Sequence, residues 1–278
     1  MPQLQRLVIA PSQFSSQFSS QFSGSKIALT PQQQHYLGRV LRLQAGDRFI
    51  AMDGQDWWLA VLTPDPTQAN VLEPIAAPTE LPVVVNLVIA MPKSGMEDIV
   101  RQTTELGVSQ IIPVISQRTV LKPSPHKLDR WQRIAQEASE QSERQIIPEI
   151  IAPHTWTEVL ANWNATCSPC YLCEARGDYP HLLQCLMESR AILSNPGESF
   201  EFSHSASNAS SLPSTLTVAI GPEGGWTEAE VNAAIEVGYQ PVSLGRQILR
   251  SVTAPIVAMS LIASTPFLKL GDRLGEEG

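Results

Sequence analysis

From Val83 to Ala90 the chain is apolar at every position but Asn86, the pattern of a strand buried on both faces. Met96, Ile99, Val100, Thr103 and Leu106 then recur at helical spacing, and Gly107 marks the stop. Gln110 to Ile115 predicts a second buried strand. Leu128 to Arg144 predicts a helix with Trp131, Ile134, Ala135 and Ala138 on one face. Thr155 to Trp163 and Pro180 to Met187 predict two more helices around a strand at Tyr171. Val218 to Ile220 and Pro241 to Leu244 read as further strands. A last helix starts near Ala254, with Pro255 in its first turn. Its Ile256, Val257, Met259, Leu261 and Ile262 are apolar nearly all round, as for a helix in a core or a subunit interface. Strands alternating with helices predict an α/β domain with a mainly parallel sheet over residues 82–270.

Upstream the pattern is β. Leu7 to Ile9, Arg48 to Met52, Trp57 to Leu62 and Val71-Leu72 read as strands, with turns at Gly46-Asp47 and Asp53-Gly54. His35 to Leu43 adds a helical turn or two. Residues 1–78 are therefore expected to form a small β domain or barrel, and the proline-rich Ile75 to Pro82 a linker. The Gln/Phe/Ser repeat of Ser12 to Ser23 is of low complexity and reads as an expanded loop. Residues 188–214, rich in Ser, Asn, Pro and Gly and without periodicity, read as a disordered insertion.

The 278 residues suit two domains, and no apolar run has the length of a membrane span. With no signal peptide either, a soluble, cytoplasmic protein is expected and no membrane partner. The net charge of −8 argues against a nonspecific nucleic-acid coat, but leaves room for a local basic surface. Cys167, Cys170 and Cys173 make C-x2-C-x2-C, which invites a metal or iron–sulfur reading. Against it, Cys173 and Tyr171 fall on one face of a strand, and buried cysteines often serve as small apolar residues. No metal is expected.

Two glycine-bearing turns carry the candidate chemistry. The strand ending at Ile220 runs into Gly221-Pro222-Glu223-Gly224-Gly225-Trp226, and the next helix has Thr227 and Glu230 as a capping box. Trp226 and Val231 are placed as its hydrophobic staple. The second turn opens at Leu244-Gly245 and runs to Ala254. Turns at the carboxyl ends of buried strands are where open α/β sheets bind small molecules. Neither turn is GxGxxG or GxxxxGK[ST], and tight structural corners would use the same glycines.

Five segments, in order, carry a resemblance. They are His35 to Gly46 with Asp53-Gly54; Lys93 with Thr104 to Val108; Arg130-Trp131 with Glu137 to Arg144 and Pro148; Ile220 to Gly225; and Leu244 to Ala254. Together they resemble the ribosomal RNA small-subunit methyltransferase E family of the SPOUT superfamily. The resemblance implies a PUA-like RNA-binding β-barrel followed by a SPOUT-type α/β domain tied in a trefoil knot, with a homodimer formed through the knot. It implies S-adenosyl-L-methionine as cofactor, and N3 of a uridine in 16S rRNA of the small ribosomal subunit as acceptor. The implied cofactor cradle is Ile220, Gly221, Pro222, Glu223, Gly224, Gly225, Leu244, Gly245, Ile248, Leu249, Arg250, Thr253 and Ala254. Two positions depart from the family pattern: Gln247 replaces an Arg and Val252 a Glu.

Loss of the N3 proton calls for a base or an anion-stabilising cation. The candidates are Arg144, Arg250 and Glu223, with Arg250 and Arg144 preferred as catalytic residues. Arg39 and Arg42 on the barrel, and Lys93, Arg118 and Arg130 at the domain junction, are the implied RNA contacts. Two other readings remain open: a SPOUT enzyme acting on a tRNA base or a ribose 2′-hydroxyl, and a noncatalytic RNA-binding ribosome-assembly factor.

Overall fold

The structure, a computed structural model, describes residues 4–15, 25–54, 56–75, 79–120, 125–162, 169–193 and 215–265. Most of the Gln/Phe/Ser repeat, the middle of the expected linker, Cys167 and residues 194–214 lie outside the described residues. The chain divides into two compact units, Met1–Glu80 with Arg133–Ile147, and Leu81–Gln132 with Pro148–Gly278.

The first unit is built on strands β1 (Arg6–Val8), β2 (Lys26–Ala28), β3 (Arg48–Met52), β4 (Trp57–Leu62) and β5 (Gln68–Ile75). They form one sheet in the order β1-β3-β4-β5-β2, antiparallel except for β1 with β3. The sheet curls until the chain leaving β1 meets β2. Phe14 pairs with Ile27, and Ser15 N–H donates to Lys26 O over 2.9 Å. Closure of this kind removes exposed strand edges. Its core holds Ile9, Ile27, Leu37, Phe49, Ala60 and Val71. Leu37 comes from the π-helical turn Tyr36–Val40 that follows α1 (Pro31–His35), whose start is capped by Thr30 with Gln33 returning the bond.

The second unit contains β6 (Val84–Ala90), β7 (Gln110–Ile115), β8 (Glu149–Ile150), β9 (His154–Thr155), β10 (Cys170–Cys173), β11 (Thr215–Ile220) and β12 (Gln240–Val242). Their order is β12-β10-β11-β6-β7-β8, with β9 also on β7, and every pairing is parallel. Its helices are α2 (Met96–Glu105), α4 (Trp156–Asn162), α5 (Leu182–Leu193), α6 (Glu228–Glu236) and α7 (Ala254–Ser264), while α3 (Pro125–Gln141) begins in this unit and from Arg133 groups with the first. Val85, Leu87, Val88, Ile89 and Ala90 have no exposed surface, as the continuous apolar run requires of a central strand. Tyr239 and Ala234 join Trp156 and Trp226 in a cluster on one face of the sheet.

Two boundaries differ from the sequence pattern. Helix α5 continues to Leu193, so residues 188–193 are helical rather than part of an insertion. Helix α3 ends at Gln141, three residues before Arg144, because Glu143 adopts φ +60°. The chain after it, which groups with the first unit, is gathered by one carboxylate. Glu80 Oε1 accepts from the N–H groups of Gln145 (2.8 Å) and Ile146 (3.0 Å), and Oε2 from Arg144 Nη2 at 2.6 Å. The Arg144 side chain is 4% exposed, and this carboxylate is a counter-charge for it. Removing one member of a buried pair typically costs about 3–5 kcal/mol. Glu80→Ala is expected to lower unfolding stability in urea by about 3 kcal/mol. A loss under about 1 kcal/mol would mean that groups other than Glu80 balance Arg144.

Candidate functional site

Three neighbouring strands, β12, β10 and β11, end side by side, and their loops enclose a pocket of about 540 Å³ counted to its open mouth. One wall is Ile220, Gly221, Pro222, Gly225 and Trp226 after β11. A second is Leu244, Gly245, Gln247, Leu249 and Ser251 after β12, with Ala254 at the start of α7. The third is Cys173-Glu174-Ala175 after β10. A wider groove adjoins it, sharing Glu174, Pro222, Trp226 and Leu249 and adding Arg176, Tyr179, Glu223, Glu228, Asn232 and Ile248.

The walls are largely main chain in glycine conformations. Gly225 has φ +71° and Gly245 φ +130°, and a Cβ on either would meet no atom within 4 Å. Their conformation, rather than crowding, demands glycine, and the space beside them is left to the pocket. Gly221 differs: a Cβ there would lie 3.0 Å from Trp226 Nε1. Trp226 is 5% exposed and stacks on Trp156 with ring centroids 4.5 Å apart. Its indole N–H has no hydrogen-bond partner among the described residues.

The loops are fastened to one another. Glu230, at the third position of α6, completes the capping box by accepting from Thr227 N–H at 2.9 Å. Its other oxygen accepts from Gln117 N–H at 2.7 Å, reaching the loop after β7. Next to Gln117, Arg118 Nη1 donates to Gly224 O (2.6 Å) and Trp226 O (3.2 Å). Glu223 accepts from the Lys93 N–H at 2.8 Å, tying in the loop after β6. Burial pushes the Cys170 and Cys185 thiols above their ordinary range, which keeps them protonated. The Cys173 thiol is raised too, by burial and then by the neighbouring Glu174 carboxylate.

Residues 79–263 match the RNA methyltransferase domain family, and residues 29–71 the RNA methyltransferase PUA domain. Ribosomal RNA small subunit methyltransferase E of Synechocystis sp. is 42% identical over 260 residues, covering 92% of this chain and 76% of that protein. The Bacillus subtilis protein of the same name is 32% identical over 258 residues, covering 88% of this chain and 93% of its own. This chain belongs to the ribosomal RNA small subunit methyltransferase E family. The crystal structure of the Neisseria gonorrhoeae protein of that name, bound to S-adenosyl methionine, is similar with a TM-score of 0.71 and 26% identity. That match covers 95% of this chain and 98% of the other.

Within this family member, Ile220, Gly221, Pro222, Gly225, Leu244, Gly245, Leu249 and Ala254 of the expected cradle line one pocket. Glu223, Gly224 and Ile248 line the adjoining groove. Arg250 and Thr253 line neither; Arg250 contributes its carbonyl, which accepts from the Thr253 and Ala254 N–H groups at 2.9 Å and so starts α7. Its side chain is exposed. Arg144 belongs to the first unit and is bound to Glu80. Of the expected RNA contacts, Arg39, Arg42 and Lys93 are exposed, and Arg130 pairs with Glu97 at 2.6 Å. The sequence reading missed the third wall. Its signal was faint: Glu174 immediately follows a short apolar strand.

Arg118→Ala should loosen the Gly221–Trp226 turn. A charge-assisted bond to an exposed carbonyl contributes about 1 kcal/mol, so amide exchange there should quicken about fivefold. Arg118→Lys should recover part of the protection. Exchange unchanged in Arg118→Ala would show that the turn stands without this clamp.

Proposed function

We propose that this chain transfers a methyl group from S-adenosylmethionine to N3 of a uridine in 16S rRNA of the small ribosomal subunit. Family membership supports the reading, together with the pocket at the strand ends. The residues there fit the cofactor. Apolar side chains suit an adenine ring, and the main chain of the two glycine turns offers N–H and C=O groups for its edge. The Trp226 indole N–H is a buried donor without a partner among the described residues. The cofactor supplies an electrophilic methyl group when bound.

The protein's part is to orient the donor, exclude water and deal with the N3 proton. Arg250 is the residue for the last task. It stands in sequence between the wall residues Leu249 and Ser251 with its side chain exposed, and it stabilises the uracil anion left when the N3 proton passes to bulk water. Arg144 is part of the first unit's scaffold on this reading. Arg39 and Arg42 hold RNA phosphates on the first unit, and Lys93 and Arg130 on the second. The acceptor base is turned out of its helix to reach the donor. The same reading includes the trefoil knot and a homodimer through it. In support, Ile256, Val257 and Leu261 of α7 are only half-buried in a single chain. Among the described residues no helix is long and apolar enough to cross a membrane.

Undermethylated small subunits incubated with the protein and labelled cofactor should yield N3-methyluridine in 16S rRNA on nucleoside digestion. Label on a ribose 2′-hydroxyl or on tRNA would overturn the acceptor assignment. Cofactor binding without transfer would favour a noncatalytic assembly role. Arg250→Ala should lower turnover about 100-fold, the scale of losing one anion-stabilising donor, with cofactor affinity changed by less than about threefold.

A further inference from the structure

We infer that Glu174 reads the ribose of the methyl donor, accepting hydrogen bonds from its hydroxyls; this rests on the cofactor assignment proposed above. Among the described residues lining the pocket, Glu174 is the only charged one. It is the first residue beyond β10 and is fixed at both ends. Its N–H donates to Val242 O of β12 at 3.0 Å, and Oε1 accepts from Arg176 N–H at 3.0 Å. The structure records no partner for its second oxygen among the described residues. The carboxylate is half-buried at a largely apolar wall, so its second oxygen faces water in the free protein and is open to donors from a bound ligand.

The connectivity of the ligand chooses which donors. In S-adenosylmethionine the ribose joins the adenine to the charged amino-acid tail. Glu174 lines both the apolar pocket and the adjoining groove, so it stands where the two spaces meet. The groove carries charges of both signs, Arg176 against Glu223 and Glu228, as a zwitterionic tail requires. A sulfonium centre, by contrast, offers no hydrogen to a carboxylate. An acidic residue beyond a parallel strand, accepting from a ribose hydroxyl, is also the solution adopted in dinucleotide-binding sheets.

The test is calorimetry of S-adenosylhomocysteine and its 2′-deoxy and 3′-deoxy analogues with the full chain. Wild type should bind the parent at least about tenfold more tightly than one of the deoxy analogues. Glu174→Gln keeps an acceptor for Arg176 N–H but replaces the second oxygen with an amide nitrogen. It should weaken the parent about tenfold and reduce the preference over that deoxy analogue to less than about threefold. Retention of the full preference in Glu174→Gln would overturn the inference. So would a variant that loses affinity for S-adenosylmethionine but not for the uncharged-sulfur product, since Glu174 would then be reading charge. Should the variant fail to fold, wild type alone decides: no preference for the parent over either deoxy analogue sinks the proposal. Absence of any binding to wild type would instead reject the cofactor assignment itself.

Discussion

In a sheet whose pairings are all parallel, every strand leaves by the same edge, and the loops beyond β6, β7, β10, β11 and β12 must share that edge. Their backbone groups no longer have a ladder to pair with, so each needs a partner from elsewhere. Here the partners come from neighbouring loops. Glu223 takes the amide of Lys93, 130 residues away in sequence, and Glu230 takes that of Gln117, 113 residues away. Arg118 supplies the converse, donating to two carbonyls of the β11 turn. The N–H of Glu174 is bound by Val242 on β12. These bonds turn five separate chain reversals into one surface, and the pocket is the gap left in it.

Local pattern was enough for much of this. The apolar run of β6, the helical spacing of α2 and the Thr227–Glu230 capping box each depend on residues close in sequence, and each is present in the structure. What local pattern lacks is adjacency. Strand β10 lies between β11 and β12, so the chain must cross over twice to place Cys173-Glu174-Ala175 between the two glycine turns. Nothing in a four-residue strand announces its neighbours. The end of α3 failed for a related reason. The spacing of Trp131, Ile134, Ala135 and Ala138 carries on naturally to Arg144, but Glu80, 64 residues earlier, captures the turn. The extension of α5 is different: Glu188 to Leu193 contains neither Gly nor Pro, and averaging it with the segment beyond concealed that.

The cations make the same point about charge. Arg118, Arg130 and Arg144 are alike in sequence as candidate contacts for an anion. The structure gives each a different occupation: carbonyls of a turn, an exposed glutamate and a half-buried one. A buried arginine whose donors are bound to a carboxylate is a poor phosphate ligand, because leaving its partner would strand a charge. Arg39 and Arg250, exposed, carry no such cost. Which arginine is available is therefore a property of the acceptors around it, not of its motif.

Gln247 and Val252, read from the sequence as departures from the resembled motif, fall within this logic. Gln247 is exposed at the pocket wall, where main chain does most of the enclosing. The path of that main chain is set by Gly245 at φ +130°, by Ser243 Oγ bonded to both N and O of Gly245, and by the Arg250 carbonyl. None of these involves the side chain at position 247 or 252. Val252 packs against the start of α2: a Cβ on Gly95 would come within 2.6 Å of its Cγ1. A glutamate there would instead put a carboxylate near the unpaired N–H groups of the helix. The valine places an apolar side chain at that junction. It leaves the main-chain path of the pocket wall in place, and the change bears on the N-terminus of α2.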